Sequence, residues 1–71
     1  VNWLVMTNNV KVQRAIANIT QAQLAEKIGV SRQTINAIEA RKYVPSTVLA
    51  LKIAKLFGKS VHDIFELDDD D

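Results

Sequence analysis

The sequence predicts an all-α fold, a compact bundle of five short helices, and three observations carry that expectation. Residues 20–41, TQAQLAEKIGVSRQTINAIEAR, place small and apolar positions where two short helices crossing at a tight turn need them. Helix-start residues, Ser, Thr or Asn, recur ahead of each apolar-periodic stretch, and Gly29 and Gly58 stand where such stretches end. No run alternates at strand length, and nothing repeats internally. With 71 residues, 48% of them hydrophobic and 24% charged, the chain has room for one small core, and its modest burial favours help from a partner subunit.

Taken in order, Thr7, Asn8 and Asn9 offer caps for a first helix over residues 10–18. Thr20 followed three residues later by Gln23 forms a capping-box pattern that opens the second helix, with Leu24, Ala25 and Ile28 on one face. Gly29 ends it, since a glycine enters the left-handed region without a Cβ clash. Ser31 caps the third helix, whose Ile35 and Ile38 face the core while Arg32, Gln33, Thr34 and Asn36 lie toward its start and outer side. Tyr43, Val44 and Pro45 interrupt the pattern, and Ser46 starts a fourth helix with Ala50, Leu51, Ala54 and Phe57 at core spacing. Ser60 and Asp63 open a last short helix through Val61, Ile64 and Phe65. Residues 1–8 read as an N-terminal extension, 9–67 as the folded unit and 68–71 as an acidic tail. Met6 is a candidate initiator, which would make residues 1–5 an upstream addition.

Composition narrows the function. No cysteine is present, so disulfide and thiol chemistry are excluded, and His62 alone assembles no zinc site. No apolar run approaches the roughly 20 residues that span a bilayer, so no membrane is expected as a partner and the chain reads as cytoplasmic. Nine basic residues stand against eight acidic ones, four of which are Asp68–Asp71; without that run the count is nine against four, a net +5. The body is basic and the tail acidic. Nothing pairs carboxylates, a nucleophile with a base, or glycines around a phosphate, so neither an enzyme nor a cofactor is expected.

Within the two-helix segment, Ala25, Gly29 and Ile35 fall at positions five, nine and fifteen counted from Gln21. Ala25 is small enough for close helix crossing, Gly29 makes the turn, and the β-branched Ile35 locks the two helices at a steep angle. On these residues the chain resembles the helix-turn-helix domains of the phage repressor and Cro class, the xenobiotic-response-element (XRE) family of transcriptional regulators with the lambda repressor-like fold. The resemblance spans residues 9–65. It rests on Ile19-Thr20-Gln21, LAEKIGVSRQTINAIE at 24–39, Pro45-Ser46, LALKIAKLF at 49–57 and the ending at 60–65, in that order.

The resemblance implies a sequence-specific DNA-binding regulator, a repressor, working as a homodimer on double-stranded DNA with no evident small-molecule effector. In such domains the start of the third helix reads base edges, which here means Arg32, Gln33, Thr34 and Asn36. Phosphate contacts are implied for Gln21 and Ser31 and, after the third helix, for Arg41, Lys42 and Tyr43. Arg32 suits guanine O6 and N7, and Gln33 suits adenine N6 and N7. Two departures stand out: Gln13 replaces an apolar residue while Ile16 and Ala17 occupy charged places, and no glycine follows the third helix near Ala40 and Arg41. The second leaves either an unstrained turn or a non-glycine residue in an unusual conformation.

Other features carry plainer readings. Lys11, Arg14, Lys27, Lys52, Lys55 and Lys59 are read as solvated or locally paired, His62 as a surface helix residue, and Trp3 as an interface anchor or a loose end. The four aspartates are a solvated terminus or a competitor for phosphate on the basic face. The last helix with Leu67 and the apolar N-terminus are the candidate dimer surfaces. A reading of a different class is a protein-interaction or antitoxin-like module that keeps the helix-turn-helix as a scaffold. It would lack the steep salt dependence and duplex discrimination of a DNA reader.

Overall fold

The computed structural model describes residues 6–67. It contains β1 (Met6–Asn8), α1 (Val10–Ala17), α2 (Gln21–Ile28), α3 (Arg32–Glu39), α4 (Thr47–Phe57), α5 (Val61–Ile64) and β2 (Phe65–Leu67). The fold is mostly helical, and the expectation of a purely α bundle is corrected by one antiparallel ladder. In it Met6 faces Leu67, Thr7 faces Glu66 and Asn8 faces Phe65. The last helix therefore stops at Ile64, and Phe65 turns extended at φ −116°, ψ 136°. Trp3 and the tail at 68–71 lie outside the described residues.

Of Thr7, Asn8 and Asn9, the residues expected to cap α1, Asn8 accepts from the first N–H of the helix, while Asn9 ties the start of α1 to α5. Asn9 makes no side-chain cap; its Nδ2 donates to the Asp63 carbonyl at 2.9 Å and its backbone N–H to that of Ile64 at 3.0 Å. Asn8 accepts from the Val10 N–H at 3.1 Å and donates to the Ile38 carbonyl at 2.8 Å. Elsewhere the expected caps hold. Thr20 and Ser60 close complete capping boxes with Gln23 and Asp63, and Ser31 and Ser46 each accept from the N–H three residues on.

The core draws on all five helices and β2. Val10 comes from α1, Leu24, Ala25 and Ile28 from α2, Ile35 and Ile38 from α3, Ile64 from α5 and Phe65 from β2. In α4 the buried face is Leu49, Ile53 and Ala54, whereas Leu51, expected in the core, is 54% exposed. Ala50 and Phe57 pack at its margin. The unusual composition of α1 has a simple outcome: Ile16 is 73% exposed and Val12 55%, and the helix is held by Val10 and by Arg14.

Candidate nucleic-acid interface

Two eight-residue helices build the site. Ala25 is almost fully buried where α2 meets α3, and Gly29, at φ 78°, reverses the chain between them. With no neighbour within 4 Å of the position a Cβ would take, the glycine is required by its backbone angle and not by crowding. Ile35 and Ile38 anchor the inner face of α3, so the outer face of its first turn is fixed in space.

That first turn carries Arg32 and Gln33. Both are exposed, and neither side chain has an intramolecular hydrogen-bond partner among the described residues. With Gln21 and Asn36 they surround a shallow hollow of about 170 Å³, and Arg32 also borders a larger hollow of about 500 Å³ beside Asn18, Thr20 and Gln21. Ser31 and Thr34 are occupied with each other: the Ser31 hydroxyl accepts from the Thr34 N–H at 3.1 Å, and the two hydroxyl oxygens lie 2.9 Å apart. Lys42 and Tyr43 are exposed just beyond α3. Arg41 is half-buried, and its Nε donates to the Met6 carbonyl at 3.1 Å. The geometry thus gathers Arg32, Gln33, Asn36 and Gln21 at one hollow, while Arg41 faces β1.

Beneath the hollow runs a polar network reaching from α1 to α3. Arg14 meets Glu39 as a two-point fork, Nε to Oε2 at 2.6 Å and Nη2 to Oε1 at 3.1 Å, and its Nη1 reaches the Ile19 carbonyl at 3.1 Å. Gln21 donates from Nε2 to Glu39 Oε1 at 3.1 Å and, at 3.4 Å, to Asn36 Oδ1. Burial alone would push the Glu39 carboxyl up. The hydrogen bonds from Arg14 and Gln21, with the charges of Arg14 and Lys11, outweigh it and hold the carboxyl below its ordinary range. The same bond to Glu39 raises the Arg14 guanidinium above its ordinary value against a smaller cost of burial. Glu39 was absent from the sequence-derived site. The pair joins residues 25 apart, and no local spacing announces it.

Among the described residues no group of histidines or acids is placed to hold a metal ion, and no helix is long and apolar enough to cross a membrane.

A family model described as Helix-turn-helix matches residues 10–64. An uncharacterized HTH-type transcriptional regulator of Methanocaldococcus jannaschii is 58% identical over 66 residues, 93% of this chain and 100% of that protein. The HTH-type regulator YgzD of Bacillus subtilis is 48% identical, over 92% of this chain and 98% of its own length. Among solved structures, a Bacteroides fragilis protein assigned as DNA-binding superimposes with a TM-score of 0.77 at 31% identity, covering 86% of this chain and 98% of that one. The first two are named as transcriptional regulators and the third as a DNA-binding protein. With its two-helix unit, its exposed first turn and these matches, the chain belongs to the XRE-type helix-turn-helix family of DNA-binding transcriptional regulators.

Proposed function

We propose that the protein is a sequence-specific repressor that works in the cytoplasm as a homodimer and inserts α3 into the major groove of double-stranded DNA. Residues 9–67 are its DNA-reading domain, completed by the β1 strand of residues 6–8 from the expected N-terminal extension, with 68–71 as an acidic tail. Arg32 and Gln33 read base edges, with Thr34 and Asn36 contributing further along α3. Ser31, Lys42 and Tyr43 fix the register on the phosphates, and Gln21 and Arg41 stand beside them as the remaining backbone-contact candidates. Binding alone suffices for repression, because a protein seated on a promoter excludes others from it. The reading requires no metal, cofactor or small-molecule effector.

The observation that supports it most is the state of Arg32 and Gln33. A guanidinium and an amide are held by a rigid helix in open solvent with every hydrogen-bonding group unspent, which is the condition for reading a base edge. Selection of bound duplexes from a random library, repeated with Arg32→Ala and Gln33→Ala, tests it. Each variant is expected to lose preference at one position of the site, with a cost of about 1–3 kcal/mol for each lost bidentate contact. Identical preferred sites for both variants and the parent would refute the assignment.

A further inference from the structure

We infer that Asn36 presents only hydrogen-bond donors to the major groove, its amide being held oxygen-inward by Gln21, and that it selects guanine in preference to adenine. The inference rests on the proposed reading of DNA by α3. It starts from Glu39, whose carboxylate can only accept. Arg14 fixes that carboxylate from one side with a two-point fork. The Gln21 side chain, 3.1 Å from Glu39 Oε1, must turn its NH2 toward it, because its carbonyl oxygen would meet a negative charge. A primary amide has two N–H groups. The second points to Asn36, at 3.4 Å, and can be met only by an oxygen there. Asn36 Oδ1 is thereby drawn toward α2, and its Nδ2, with no acceptor among the described residues, is left for the solvent side.

Polarity thus passes from a charge on α1 through a carboxylate and two amides to an exposed pair of N–H groups. Asparagine ordinarily favours adenine, because its oxygen accepts from N6 while its nitrogen donates to N7. Here the oxygen is turned inward toward Gln21, away from the groove side. Guanine offers acceptors at both O6 and N7, which suits a group with donors alone. Asn36 lies one turn beyond Arg32 and borders the same hollow, so its base adjoins the one Arg32 reads. Gln21 then acts as a positioning residue for Asn36: both of its side-chain N–H groups are used within the protein, and its backbone N–H, in the first turn of α2, is the donor left for a phosphate.

Duplex selection with the full chain, followed by competition between duplexes differing at one base, tests this. The parent should select guanine at a position that becomes indifferent in Asn36→Ala. In Gln21→Leu, which frees Oδ1, the guanine-to-adenine affinity ratio at that position should fall at least about fivefold. Adenine at that position in the parent overturns the inference, as does an unchanged ratio in Gln21→Leu. A defined site that Asn36→Ala leaves untouched overturns it while leaving the DNA-reading function intact, and failure to select any site removes both. Should Gln21→Leu not fold, NMR of the parent free in solution decides. The Gln21 side-chain amide protons must shift as Glu39 is titrated, and amide protons indifferent to that titration overturn the inference.

Discussion

At Glu39 two opposing effects meet, and their balance is measurable. Burial disfavours its charge, while Arg14, Gln21 and the nearby Lys11 favour it more, so the carboxyl titrates lower in the folded chain than in the unfolded one. A depressed carboxyl stabilises the fold at every pH above its unfolded value of about 4.3, and that contribution drains away as the pH falls through the lower folded value. Both side chains are largely shielded, 15% exposed for Arg14 and 7% for Glu39, which sets the pair between a surface bridge and a fully buried one. Glu39→Gln should therefore cost about 2 kcal/mol at pH 7 in urea unfolding, and the gap from the parent should close as the solution is made acid enough to protonate Glu39. A gap that stays constant with pH would assign the loss to packing and not to charge. Arg14 had been readable as solvated or locally paired, and the structure settles it as paired. Its partner was not legible, because attraction across 25 residues leaves no periodic trace in a sequence.

Helices were legible where chemistry is local, and less so where a whole face had to be chosen. Four of the helices end in one way, with a left-handed residue whose flanking N–H groups turn back onto the last carbonyls: Asn18, Gly29, Arg41 and Gly58. The two glycines announced their stops in the sequence. Asn18 and Arg41 did not, since a side chain there costs strain that the surrounding bonds must offset. At Arg41, φ is 62°; its N–H binds the Ile38 carbonyl, the next N–H binds that of Ala37, and its guanidinium reaches Met6. Of the two outcomes left open for the turn without a glycine, the unusual conformation is the one found. The ladder of β1 and β2 escaped notice because three residues at each end of the domain are too few to alternate. In α4 the helix was legible and its phase was not, because apolar residues line more than one side of TVLALKIAKLF. The structure makes a sharp contrast between neighbours in that helix. Ile53→Ala, fully buried, should cost about 2–5 kcal/mol, whereas Leu51→Ala, 54% exposed, should stay within about 0.5 kcal/mol. Equal losses in thermal or urea unfolding would mean that Leu51 is covered in solution, by a second copy or by another part of the chain.

At the scale of the molecule, the question is how so small a body achieves selectivity. The described residues carry nine basic and four acidic side chains, an excess that draws the protein to any duplex and says nothing of sequence. On the proposed reading α3, with eight residues and about 12 Å of axis, meets only a few base pairs through its exposed first turn. The body measures 34 × 23 × 21 Å, so two copies side by side fit reading helices placed about one duplex turn, or 34 Å, apart. Several exposed apolar places could join them: Leu67, which lies on β2 and not on the last helix, Val12 and Ile16 on α1, and Val48 with Leu51 on α4. Whichever joins them, a two-fold dimer makes the spacing of its half-sites rigid, and that can be measured without knowing the surface. Inserting about 5 base pairs at the centre of the selected site turns one half-site to the opposite side of the duplex. Affinity, followed by fluorescence anisotropy at fixed salt, should then drop to the level of a site with one half destroyed, a loss of at least about tenfold if each mismatched contact costs 1–3 kcal/mol. An affinity indifferent to the insertion would show that each copy binds alone, and the selectivity of the protein would then have to come from a single α3.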